Sequence, residues 1–104
     1  MPLDEMLRRT RERLAEAFPG RFRGLILYGS EAREEAAADS DVDLIVLLEG
    51  PVAFGKDLET VIRALYPLQL ETDRLIDAWP ADVKAYEAQE FSIFRRAHRE
   101  GVLL

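Results

Sequence analysis

The chain has 104 residues, 48% of them hydrophobic, which suffices for one compact domain with a single core and is too few for two. Its net charge of -6 opposes non-specific binding to DNA, RNA or an anionic membrane, so neither nucleic acid nor membrane is expected as a direct partner. The absence of cysteine excludes a disulfide framework and a thiolate zinc site, no apolar run approaches the roughly 20 residues of a bilayer span, and the acidic start Asp4-Glu5 is unlike a signal peptide, which together suit a cytoplasmic protein.

Leu3, Met6, Leu7, Leu14, Ala17 and Phe18 recur at helical spacing with arginines on the other face, predicting an amphipathic helix from Leu3 to Phe18, ended by Pro19-Gly20. Phe22 to Tyr28 is apolar on both faces and closed by Gly29, as in a central strand. A short helix over Glu31 to Ala38 should follow, capped by Ser30 and broken at Asp39-Ser40. Val42 to Leu48 is a second central strand, ended by Glu49-Gly50-Pro51. A helix starts near Asp57 and is disrupted around Pro67, and Arg74 to Trp79 forms a third strand stopped by Pro80. Beyond it the chain is helical, with Val83, Tyr86, Phe91, Phe94 and Ala97 on one core-facing stripe and a break near Gln89. The lone His98, on an Arg-rich helix, is expected in solvent without a role. The tail Val102-Leu103-Leu104 is apolar and suits docking to a partner. This order of elements predicts a single α/β domain over residues 1–104.

Chemistry concentrates in Tyr28 to Leu44. A glycine between strand and helix lets a ligand approach the backbone, and the following helix start offers N–H groups and a positive dipole end to phosphate, with the Ser30 hydroxyl as a further donor. Asp41 and Asp43 are two apart on a strand, so both face one side, about 6 to 7 Å apart at roughly 3.3 Å per residue. Because Ile45, Leu47 and the alternate residues Val42, Leu44, Val46 and Leu48 are all apolar, this pair stands at the end of a buried strand, with no Lys or Arg beside it in sequence. Such a pair calls for a cation or a proton, and Mg²⁺ shared with substrate phosphates meets that need. Asp77, an aspartate amid Leu75, Ile76, Ala78 and Trp79, is the candidate third carboxylate, as metal ligand or general base, with Asp73 in reserve. Its alternative is an ion pair with Arg74 or an arginine of the first helix. Arg33 either reaches a phosphate or the partner, or is a solvated helix residue.

Gly29-Ser30, ten intervening residues and then Asp41-Val42-Asp43, with Ala32-Arg33 and Ser40, resemble the motif of the DNA polymerase β-like nucleotidyltransferase superfamily. Within it, the chain looks like the minimal nucleotidyltransferase domains that act as antitoxins beside HEPN-type RNase toxins, a resemblance that reaches the ending Arg99 to Leu104. It implies a small mixed sheet flanked by helices and transfer of AMP from ATP to a hydroxyl, typically a tyrosine of the toxin. It also implies Asp41, Asp43 and Asp77 as catalytic, metal-binding carboxylates for Mg²⁺ or Mn²⁺, and Gly29, Ser30 and Arg33 as nucleotide-binding residues. Larger relatives add a domain that helps form the acceptor site, so here the toxin is expected to be both substrate and partner; self-association stays open. One departure is Glu34, where a glycine often follows the arginine of the motif: it stiffens the phosphate loop and adds negative charge beside it. A non-catalytic antitoxin that neutralises by contact, and an enzyme acting on a small molecule, are the competing readings.

Overall fold

The computed structural model describes residues 1–29 and 40–104. The expected short helix, its cap Ser30, Arg33 and Glu34 lie outside the described residues. The order is α1 (Leu3–Ala17), β1 (Phe22–Tyr28), β2 (Val42–Leu48), α2 (Phe54–Gln69), β3 (Ile76–Asp82), α3 (Val83–Glu87), α4 (Ser92–Glu100) and β4 (Val102–Leu103). Among the described residues the strands form one four-stranded sheet in the order β3-β2-β1-β4. β1 runs antiparallel to β2 and β4, while β2 and β3 are parallel and joined through α2, so the sheet is mixed as expected.

The alternation of side chains along β1 and β2 feeds two cores. Leu25, Leu27, Val42, Leu44, Val46 and Leu48 pack against α1 and α2, through residues such as Met6, Leu14, Val61, Leu65 and Leu68. Ile26, Ile45 and Leu47 face the other way, onto Tyr86 of α3 and Phe94 and Ala97 of α4. Val42 and residues 44–48 of β2 are all buried. At about 1.5–3 kcal/mol per fully buried aliphatic side chain, this burial outweighs the ~1 kcal/mol span of strand preference that disfavours aspartate. β2 is therefore a firm rail for the acid it carries, Asp43.

Several elements differ from expectation. α2 begins at Phe54, three residues before Asp57, and continues through Pro67 to Gln69. Pro67 falls in the last turn, where one lost backbone bond is minor beside the buried stripe of Asp57, Val61, Leu65 and Leu68. β3 starts at Ile76 and runs through Pro80 to Asp82. It is an edge strand, and an edge tolerates proline because some of its N–H groups have no strand to meet. Asp82 then caps α3, its carboxylate accepting from the backbone N–H of Lys84 at 2.8 Å and of Ala85 at 3.3 Å. The break near Gln89 is real, and Gln89 has a positive φ of 54°. It leaves Phe91 just outside α4 and 61% exposed, so Phe91 does not join Tyr86 and Phe94 in the core. His98 is exposed but engaged: its Nε2 lies 2.9 Å from the Tyr86 carbonyl oxygen and its ring stacks on that of Tyr86. The apolar tail forms β4, with Leu104 N–H donating to the Leu25 carbonyl at 2.8 Å, while the Val102 and Leu103 side chains remain exposed. No helix among the described residues is long and apolar enough to cross a membrane.

One buried ion pair ties the layers together. Arg21, between α1 and β1, donates to both carboxylate oxygens of Asp57 at 3.1 and 3.0 Å, and also to the carbonyls of Glu49 and Pro51. Asp57 further accepts from the Ala53 N–H at 3.1 Å at the start of α2. The hydrogen bond from Arg21 outweighs the burial of Asp57 and holds its carboxyl below the usual carboxylate range. A depressed carboxylate pKa stabilises the fold above the unfolded-state value and ceases to do so as pH falls through the folded one. Asp57→Asn is expected to lose about 1–3 kcal/mol at neutral pH in urea unfolding, with the difference from wild type shrinking in acid. A cost that persists undiminished in acid would show that the charge of Asp57 is not what stabilises the fold.

Candidate active site

The strand register assembles the site. Tyr28, the last residue of β1, lies directly opposite Asp43 in β2, and Asp43 lies opposite Asp77 in β3. Directly opposed residues share a face of the sheet, so Tyr28, Asp43 and Asp77 form one row across three strands. The next row inward is Ile26, Ile45 and Trp79, part of the core under α3 and α4. The expected adjacency of the strands carrying Asp43 and Asp77 is therefore present.

Beneath the carboxylates is an aromatic floor. The Trp79 indole N–H donates to the Tyr28 hydroxyl oxygen at 2.8 Å, reaching past Asp43, and the two rings meet edge-on with centroids 6.4 Å apart. Trp79 stacks in turn on Phe94 of α4, at 6.2 Å. This floor keeps water from the inner side of Asp43. Burial pushes the Asp43 carboxyl up, and the negative charges of Asp77 and Asp41 and a hydrogen bond shared with the Asp77 carboxyl push it the same way. Burial also raises the Tyr28 phenol, partly offset by the bond from Trp79 and reinforced by the charges of Asp43 and Asp77.

Gly29 is required by geometry. Its φ is 74°, and a Cβ placed on it would stand 2.5 Å from Oδ2 of Asp43, so any side chain would drive the carboxylate out of place. Asp41 is exposed, one residue ahead of β2, close enough for its charge to act on Asp43. Asp77 is exposed on the edge strand. Asp73, the reserve candidate, sits in the turn before β3 and does not join the row. The arginines of α1 named as alternative partners for Asp77 are engaged elsewhere: Arg8 with Glu12, Arg9 with Glu71, Arg11 with the Leu104 carbonyl and Arg13 with the Ala64 carbonyl.

Two features were not legible in the sequence. Tyr28 and Trp79 carry no charge, and their role depends on cross-strand register; the usable signal was the matching parity of Trp79 with Asp77. Arg74 brings a cation that is distant in sequence to the start of β2, its Nε donating to the Ser40 carbonyl at 2.8 Å.

Among the described residues, no group of three or more His, Cys, Asp or Glu side chains stands together closely enough to hold a metal ion by itself. The donor set nevertheless fits a hard divalent cation. Asp43 and Asp77, opposite each other across β2 and β3, offer oxygen donors whose mutual repulsion a cation can relieve, and exposed Asp41 and substrate phosphate oxygens supply further oxygens. Mg²⁺ takes such incomplete sites because it keeps waters and shares phosphate ligands.

The family model described as "Nucleotidyltransferase domain" matches residues 7–102. In three dimensions the chain is similar to a candidate nucleotidyltransferase from Sulfolobus solfataricus, known from a 1.40 Å crystal structure, with a TM-score of 0.64 and 20% identity over 96% of this chain and 79% of that one. At that identity the likeness is one of fold. No curated protein matches the chain.

A raised carboxylate pKa means that the charged form is disfavoured in the fold, so stability is lost as pH rises through the folded-state value. In metal-free buffer, Asp43→Asn should therefore melt higher than wild type at neutral pH, and the advantage should fade in acid, where the wild-type carboxyl is protonated. A variant that melts lower than wild type at neutral pH would contradict this reading of the pair.

Proposed function

Because the chain belongs to the nucleotidyltransferase domain family, we propose that it moves AMP from ATP to a hydroxyl, the acceptor being a tyrosine of a HEPN-type toxin, and so acts as an antitoxin in the cytoplasm. The observation that carries the transfer chemistry is the row formed by Asp43 and Asp77 beside Gly29, two carboxyl groups facing each other across neighbouring strands at the rim of an apolar core. The antitoxin role and the tyrosine acceptor rest on the resemblance of the Gly29-Ser30 and Asp41-Val42-Asp43 motif.

In this reading the acceptor oxygen attacks the α-phosphorus of ATP in line with the leaving group. A new P–O bond forms, the bond to the bridging oxygen breaks, pyrophosphate departs, and the acceptor proton passes to a carboxylate. Asp77 suits that last task, because it is exposed on an edge strand where a second protein can reach it. Asp43, Asp77 and Asp41 would hold Mg²⁺ or Mn²⁺, which when bound supplies neutralisation of carboxylate and phosphate charge. Gly29, with Ser30 and Arg33 from the motif, would receive the phosphates. The close approach that glycine allows at position 29 brings backbone and carboxylate to the same point, as a phosphate bridged to a metal requires.

The test is incubation of the protein with α-labelled ATP, Mg²⁺ and a HEPN-type protein encoded next to it. Label should appear on a tyrosine of that protein and fall by about 100-fold or more with Asp43→Asn. A tight complex that neutralises the toxin without any label transfer would refute the enzymatic reading.

A further inference from the structure

The site as described is rich in negative charge, and ATP would bring more. With three carboxylates and a triphosphate, two divalent ions still leave about three negative charges unbalanced, so the protein must supply cations. On the face that bears the acids, α4 is a basic element, carrying Arg95, Arg96, His98 and Arg99. This helix packs on the sheet face that bears the carboxylate row, through Phe94 and Ala97. Arg95 donates to the Gln89 carbonyl and His98 meets the Tyr86 carbonyl, so both are committed to the joint between α3 and α4.

Arg96 is placed differently. It lines a cavity of about 110 Å³ with Tyr28, Gly29, Ile93, Ala97 and Glu100, so the cavity opens beside the glycine that abuts Asp43. Among the described residues Arg96 engages no carboxylate or carbonyl. The size of the space decides what it can take. At about 110 Å³ it has room for a phosphoryl group. A guanidinium presents a planar fork of donors matched to phosphate oxygens.

We infer that Arg96, with Gly29, forms the subsite for the terminal phosphate of the nucleotide, holding the pyrophosphate end of the substrate while the α-phosphate lies over Asp43. This assignment rests on the proposed nucleotidyl transfer and adds to it a binding residue outside the Gly-Ser and Asp-Val-Asp motif. Sorting ATP from AMP would then depend on α4.

The experiment is calorimetric binding of Mg²⁺ with ATP, and of Mg²⁺ with AMP, to wild type, Arg96→Met, Arg96→Lys and Asp43→Asn, in the absence of any partner. Loss of a charge-assisted contact predicts ATP binding weakened about 10- to 100-fold in Arg96→Met, part of it recovered in Arg96→Lys, AMP binding changed by less than about 2-fold, and melting temperatures unchanged. Equal ATP affinity in wild type and Arg96→Met, or parallel losses for ATP and AMP, would overturn the assignment of Arg96 while leaving the parent reading intact. If wild type itself shows no Asp43-dependent binding of ATP with Mg²⁺, the nucleotidyl-transfer reading fails first and this subsite with it.

Discussion

Pairing Asp43 with Asp77 across two parallel strands sets two carboxyl groups side by side at the edge of an apolar core. Left alone, two acids in that position repel, and burial adds to the cost of charging Asp43. They stay in place because β2 is buried on both faces along almost its whole length, so the strand cannot slide or rotate to relieve them. A one-residue slip would also move every β2 side chain from the core on one face to that on the other and carry Asp43 out of its row. The unfavourable charge is thereby kept as a standing affinity for a proton or a cation, which is what a metal-assisted phosphoryl site needs.

The two faces of the sheet are built for different tasks. The face under α1 and α2 is almost entirely aliphatic, and its main polar tie is the Arg21–Asp57 pair at its margin. The face under α3 and α4 is aromatic, with Tyr28, Trp79, Phe94 and Tyr86 each touching the next and two of its polar handles, the Trp79 indole and the Tyr28 hydroxyl, bonded to each other. Aromatic side chains with polar tips suit a layer that must be dry below and wet above. They fill the core beneath the acids while tolerating a charged surface next to them. Among the described residues the two-residue strand β4 covers β1, and β3, the strand carrying Asp77, forms the opposite edge of the sheet.

Much of this was readable from residue pattern. The amphipathic first helix and the two apolar strands follow from local periodicity and turn residues, and the structure agrees with them. Where local reading misplaced boundaries, tertiary context decided. Pro67 and Pro80 look like terminators in one dimension, but one falls in the last turn of a helix and the other on an edge strand, where their missing N–H groups matter little. Ala53 and Gly55 give no start signal, so the true beginning of α2 was hidden until Asp57 was seen reaching back to Ala53. The tail read as a free apolar segment because strand pairing at a sheet edge leaves no periodicity over two residues. At the site, Asp43 and Gly29 were legible from spacing, and Asp77 from the oddity of an acid within a strand. Trp79, Tyr28 and Arg74 were not, because their contributions arise only when residues about 30 to 50 positions apart are brought together.

The most direct test follows the acids themselves. Side-chain carboxyl carbons of Asp43 and Asp77, isotopically labelled and titrated by NMR without metal, should show Asp43 taking up its proton above the ordinary carboxylate range. Addition of Mg²⁺ with ATP should shift both signals and bring that titration down, as a cation takes the place of the Asp43 proton. An Asp43 that titrates like a solvated aspartate, with both signals indifferent to Mg²⁺ and ATP, would contradict a metal–nucleotide site at this pair.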